Sequence, residues 1–231
     1  MTRYKHILFD LDHTLWDFNR NSMETLVELF DFYDLGRFNK FSSQDFTNKF
    51  REVNTILWDL YDRNEIDRYY IRAFRFQMIL KQLGLEEQDI PPDISEVYLK
   101  ICPTKGNVVP DTFEVLDYLK GQYKMHIITN GFDDIQDTKL NSSNLRGYFD
   151  KIFTSEAVGF KKPSKEMFEK AVEWIGTDKK ACVMVGDNIE TDIKGAINAS
   201  LDVIFFNPDK ILHELPVTYE ITSLLELKNI L

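Results

Sequence analysis

The sequence predicts an α/β fold, a doubly wound parallel sheet with an inserted all-helical domain. Three observations point there. Short apolar runs, most of them rich in Ile, Val and Phe, recur at residues 6–9, 125–128, 152–153, 182–185 and 203–206. Each is too short for a helix and reads as a strand buried on both faces. Amphipathic stretches of helical length, 133–145, 164–175 and 189–199, alternate with the later runs, the pattern of a parallel sheet covered on both sides. Residues 17–103, by contrast, contain no convincing strand.

Within that stretch, Leu26, Leu29, Phe30 and Tyr33 fall at helical spacing, and Ile66, Tyr70, Phe74 and Leu80 predict a second helical face. Gly36, Gly84 and the Pro91-Pro92 pair mark breaks between helices. Cys102-Pro103 through Pro110 carry the chain back. The expected organisation is therefore a core of residues 1–16 and 104–231, with a helical insertion at 17–103.

The formal net charge of −10 repels nucleic-acid polymers and anionic membranes. A small anionic partner then needs local positive charge. No apolar run reaches membrane-spanning length, the first residues lack a signal-peptide core, and the two cysteines, Cys102 and Cys182, form no zinc-type cluster. A cytoplasmic, reduced setting is expected, with the protein a monomer or homodimer.

In doubly wound sheets ligands bind at the carboxyl ends of the strands. The residues there are Asp10-Leu11-Asp12-His13-Thr14, then Thr129-Asn130-Gly131, then Gly186-Asp187-Asn188 with Asp192 close behind. If the first and fourth strands are neighbours, Asp10, Asp12 and Asp187 converge. A like-charge pair at roughly 4 Å costs about 4 kcal/mol at an intermediate dielectric, so protons or a cation must sit among them. Oxygen donors without His or Cys favour a hard cation, Mg²⁺ first.

A carboxylate beside such an ion can attack phosphorus. Asp12 can protonate the leaving oxygen and later take a proton from water, a role that needs a proton on Asp12 at the outset. Thr129 offers a hydroxyl, and Asn130 and Gly131 offer backbone N–H groups, to a phosphoryl group. Lys161 or Lys162 offers the positive charge, with Pro163 expected in the first turn of the next helix. Thr129-Asn130 could equally cap a helix.

These segments, taken as hhhDxDxT at 7–14, hhhTN at 127–130, GxxKPxxxxF at 159–168 and hhGDxxxxD at 183–192, resemble in type and order the haloacid dehalogenase (HAD) superfamily. The resemblance implies an insertion of the C1 cap type. It implies Asp10 as nucleophile and metal ligand, and Asp12 as acid/base and metal ligand through its backbone carbonyl. It implies Thr129 and Lys162 on the phosphate, Asp187 as metal ligand, and Asp192 orienting a metal-bound water or Lys162, with Asn188 beside it. The segments LDHTLWDF, ITNGF and VGDNIETDIKGAINA resemble the pyrimidine 5'-nucleotidase members more closely. Two departures stand out: His13 and Ser200 occupy positions where many members have glycine.

The resulting expectation is a magnesium-dependent phosphatase acting on a small phosphorylated metabolite, a nucleoside 5'-monophosphate first. A phosphosugar mutase, a phosphatase for phosphoglycolate, a sugar or a sialic acid phosphate, and a non-catalytic binding module remain alternatives. A dehalogenase is disfavoured, because a departing halide needs no acid such as Asp12. Trp16 and Phe18, just past the first motif, are candidate substrate contacts. Arg68, Arg72 and Arg75 share a helix face by spacing, read as solvated rather than as an anion site.

Overall fold

The computed structural model describes residues 4–231. The chain divides into two compact units, one made of the residues up to Phe18 together with Gly106–Leu231, the other of Asn19–Lys105.

The first unit holds a six-stranded sheet, β1 (His6–Phe9), β2 (Lys124–Thr129), β3 (Lys151–Thr154), β4 (Cys182–Gly186), β5 (Asp202–Phe206) and β6 (Tyr219–Ile221). The spatial order is β3-β2-β1-β4-β5-β6, and all five pairings are parallel. Ile7, Leu8 and Phe9 are fully buried, as a central strand covered on both faces requires. Phe9 pairs with Ile127 on one side and Val185 on the other, so β1, β2 and β4 end on the same side of the sheet, β4 one residue and β2 two residues beyond β1.

The sheet is accompanied by α5 (Thr112–Leu119), α6 (Asp133–Ser142), α7 (Ser155–Val158), α8 (Lys165–Ile175), α9 (Lys194–Asn198) and α10 (Leu227–Ile230). Met167, Phe168 and Ala171 of α8, with Ile193 and Ala196, pack in one core cluster with Leu8, Ile128, Met184 and Phe205 of the strands. The expected helix at 189–199 proves to be two pieces. A π-helical turn, Ile189–Ile193, precedes α9. Pro163 lies outside α8, in the turn before it, because the helix begins two residues later at Lys165.

The second unit contains most of α1 (Phe18–Phe32), with α2 (Ser43–Asp62), α3 (Arg68–Gln82) and α4 (Ile94–Ile101). Ser42 and Asp45 form a capping box at the start of α2, and Asp67 caps α3. The apolar face of α3 differs from the spacing read in the sequence. Tyr70 and Phe74 are exposed, while Ile71, Arg75, Phe76, Ile79 and Leu80 are buried. Arg75 is accordingly no solvated residue. Its guanidinium stacks near Phe50, Phe76 and Tyr98, 4.5 Å from the Tyr98 ring centre, and donates to Asn54 Oδ1 at 3.1 Å. Cys102 and Cys182 are both buried, and neither is in a disulfide. Among the described residues, no helix is long and apolar enough to cross a membrane.

Candidate active site

Asp10 follows β1 directly, and its amide donates to Val185 O at 2.9 Å, carrying the ladder with β4 one step past the strand. Asp187 follows β4. The two strands meet where the strand order reverses, the crevice in which such sheets hold ligands. Asp10, Asp187 and Asp192 each present a carboxylate oxygen, and these oxygens all lie within 4.8 Å of one another.

One lysine sits among them. Lys162 Nζ donates to Asp10 Oδ1 at 2.5 Å and to Asp192 Oδ1 at 2.6 Å, with a side chain only 2% exposed. Its reach is set by Asn130. Asn130 Nδ2 donates to the Lys162 carbonyl, and the Lys162 amide donates to Asn130 Oδ1, each at 2.8 Å. Asn130 thus acts on the lysine's backbone. The Gly131 amide is likewise taken, by Thr129 Oγ1 at 3.0 Å. The Thr129 hydroxyl accepts there and keeps its own proton for another acceptor.

The loop after β4 places Asp192. The Asn188 amide donates to Asp192 Oδ2 at 3.1 Å, and Asn188 Oδ1 accepts from the amides of Glu190 and Thr191 at 2.9 and 3.0 Å. Asn188 is therefore the cap of this turn. A Cβ on Gly186 would stand 2.4 Å from Asp192 Oδ2, so the residue before Asp187 must be glycine for Asp192 to come this close. Gly195 allows a second close approach: its Cβ would lie 2.6 Å from the Phe168 ring and 2.9 Å from Pro163 Cα. The Lys162 loop and α9 are thereby packed together.

The electrostatics follow from burial and neighbours. Burial raises Asp10 well above the ordinary carboxylate range; Lys162 opposes this, and Asp192 and Asp187 add to it. Burial, then Asp192, raises Asp187 to about 7, against the Thr14 hydroxyl, which donates to its Oδ1 at 2.8 Å, and against Lys162. For Lys162, burial works against the ammonium, but Asp10 and Asp192 outweigh it and shift its pKa upward.

Asp12 stands apart. Its carboxylate turns to Lys139 on α6, whose Nζ donates to both oxygens at 2.6 and 2.8 Å. In this conformation both Asp12 oxygens are therefore engaged by the lysine. Trp16 has no exposed surface; its ring lies 4.4 Å from the Lys139 ammonium, and burial leaves it no face for a substrate. Phe18 is half-buried, stacked edge-on to Trp16 and tilted against His13. Lys161, the other lysine considered for the phosphate, is only half-buried, and the ammonium on Asp10 is that of Lys162. Thr14 and Lys139 are the two residues of this site that the sequence reading did not assign.

Carboxylates at adjoining strand ends, Asp10 buried and Asp187 half-buried, thus gather with buried Asp192 around one lysine, beside a threonine at the end of the neighbouring strand. Residues 4–200 match the family described as haloacid dehalogenase-like hydrolase. The chain belongs to this family. It is 31% identical to the HAD-hydrolase YfnB of Bacillus subtilis, over 100% of this chain and 97% of that protein. It is 32% identical to the pyrimidine 5'-nucleotidase YjjG of Escherichia coli (99% and 98% covered) and 30% identical to the pyrimidine 5'-nucleotidase PynA of Streptococcus pneumoniae (99% and 97%). The magnesium-bound crystal structure of YfnB matches with a TM-score of 0.87 at 30% identity, covering 99% of each chain. In this hydrolase the two departures from the glycine pattern, His13 and Ser200, both carry left-handed backbones, φ 69° and 63°, where glycine is unstrained.

Proposed function

We propose that this hydrolase is a magnesium-dependent phosphatase that passes through an aspartyl-phosphate on Asp10 and acts on a nucleoside 5'-monophosphate, the pyrimidine class first. The observation that carries the reading is the Lys162 ammonium held between Asp10 and Asp192. A fixed positive charge beside a carboxylate nucleophile supplies what a phosphoryl group needs in a chain of net charge −10. The inserted helical unit is read as the C1 cap, and the working setting as the cytoplasm, in a monomer or homodimer.

The donor set fits a hard cation, since the clustered ligand atoms are all carboxylate oxygens. Asp10 and Asp187, with the backbone carbonyl of Asp12, would hold Mg²⁺. When bound, the ion supplies charge neutralisation between carboxylate and phosphate. Asp192 is already engaged by Lys162 and the Asn188 amide, which suits an orienting role. The magnesium in the YfnB crystal structure supports this choice of ion.

The chain's own residues then divide the reaction. The Asp10 carboxylate attacks phosphorus while the bond to the leaving oxygen breaks, and Asp12 gives that oxygen a proton. Thr129 and Lys162 donate to the phosphoryl oxygens. Water next attacks phosphorus, the Asp12 carboxylate takes its proton, and Asp10 leaves as a carboxylate with inorganic phosphate. The double donation from Lys139 matches the carboxylate form of Asp12. Lys139 has to yield one of the two oxygens when that carboxyl carries a proton.

The choice of substrate class is supported by the likeness to YjjG and PynA, named pyrimidine 5'-nucleotidases. The test is phosphate release, with Mg²⁺ and with chelator, from a panel of pyrimidine and purine nucleoside 5'-monophosphates, hexose phosphates, phosphoglycolate and a sialic acid phosphate. Metal-dependent release, fastest from a pyrimidine nucleotide, is expected. Fastest release from another ester moves the substrate class. No release from any ester overturns the phosphatase reading.

A further inference from the structure

We infer that Lys139 is a positioning residue for Asp12, fixing the direction of the acid/base carboxylate; this rests on the phosphatase reading above. Lys139 Nζ donates to both Asp12 oxygens, at 2.6 and 2.8 Å. The lysine side chain is 8% exposed and that of Asp12 24%. A lysine so buried needs a partner, and here it has one fixed carboxylate.

The ammonium is confined from other directions as well. It lies 4.4 Å from the ring centre of Trp16 and 5.9 Å from that of Phe18, within cation–π range. Trp16 is itself fixed. It is fully buried, its amide donates to Leu11 O at 2.8 Å, and its carbonyl accepts from the His13 amide at 2.9 Å. On the other side Lys139 belongs to α6, the helix that follows the Thr129 turn, and its carbonyl accepts from the Ser143 hydroxyl at 2.6 Å. The carboxylate of the first strand's loop is thereby tied to the helix after the second strand.

Such a tie is a weak device for stability, because a buried ion pair often does no better than apolar residues of the same volume. It is a strong device for aim. Asp12 must meet a leaving oxygen while Lys162 and Thr129 hold the phosphoryl group, and a misplacement of about 1 Å can cost roughly a hundredfold in rate. Lys139 leaves the Asp10–Lys162–Asp192 group alone, so its loss removes alignment of the proton donor and not binding of the phosphate.

The test compares kcat/KM, which reports only as far as the first irreversible step, for two kinds of ester. One is the alkyl ester of the panel that the wild type turns over fastest, whose alkoxide needs a proton. The other is p-nitrophenyl phosphate, whose phenolate leaves without one. Lys139→Met is expected to lose about a hundredfold on the alkyl ester and less than about threefold on the aryl ester, with KM little changed. Lys139→Gln, which keeps a neutral donor, is run in parallel in case the Met variant does not fold, and is expected to show the same split. Asp12→Asn provides the reference split. Equal losses on both esters, or no loss, overturn the assignment of Lys139 while Asp12→Asn still splits them. A wild type that hydrolyses neither ester overturns both this inference and the phosphatase reading.

Discussion

Asn130 and Lys162 exchange two hydrogen bonds of 2.8 Å through the asparagine amide and the lysine's own backbone. One side chain at the end of β2 therefore holds the loop whose ammonium reaches Asp10 and Asp192. Both Lys162 backbone groups depend on it, and Lys162 is buried. Asn130→Ala should destabilise the protein by about 2 kcal/mol, the penalty for leaving buried polar groups unpaired. Thermal melting should show a Tm lower by roughly 6 °C, with a larger proportional loss of phosphate release. An unchanged Tm would remove Asn130 from this role.

Gly186→Ala tests the close approach of Asp192. The new methyl would meet Asp192 Oδ2 at 2.4 Å and its Cβ and Cγ at 2.7 Å, so the aspartate must withdraw from Lys162. Steady-state kinetics should show kcat/KM down by about a hundredfold, from misalignment alone. Activity near that of the wild type would mean that Asp192 does not orient the lysine.

The acid cluster predicts a pH-dependent response to metal. Asp187 is raised from 3.8 to about 7, and Asp10 is raised in the same direction. A carboxyl that holds its proton more tightly when folded contributes stability that is complete below its unfolded value. That contribution is lost as pH rises through the folded value. In chelator, this site's contribution should therefore decline between about pH 4 and 7. Mg²⁺ needs the ionised forms, so the Tm increment between Mg²⁺ and chelator should grow across the same window. An increment that stays flat from acid to neutral pH would contradict the placement of the ion among these carboxylates.

Ser200 predicts a stabilising change. Its φ of 63° costs an L-residue roughly 1–2 kcal/mol, partly offset by the larger unfolded-state entropy of glycine, about 0.4–1 kcal/mol. Ser200→Gly should raise Tm slightly and leave catalysis alone, since the serine is exposed beyond α9. A lower Tm would show that Ser200 makes a compensating contact.

How much of this could be read from the chain alone depended on chemistry with a local signature. The central strands were legible because continuous apolar runs such as Cys182–Gly186 are buried throughout. Asp10, Asp187 and Asp192 were legible because each follows a strand at short range. β6 was not, since only Ile221 of its three residues is buried. The face of α3 was misread because aromatic Tyr70 and Phe74 lie outside while charged Arg75 lies inside. Lys139 was invisible for a different reason. Its partner is 127 positions away, and a lysine on a largely polar helix carries no mark that it is buried. Thr14 was visible only as part of a motif; its bond to Asp187 spans 173 positions.

The central claim is that Asp10 is the nucleophile, and the direct measurement is magnesium-dependent phosphate release by Asp10→Asn beside the wild type. The substitution keeps the shape of the side chain and one acceptor for Lys162, so folding can be verified by thermal melting. Release should fall to background on every ester the wild type hydrolyses. Release by Asp10→Asn within about tenfold of the wild type, where loss of a covalent nucleophile should cost far more, would contradict it.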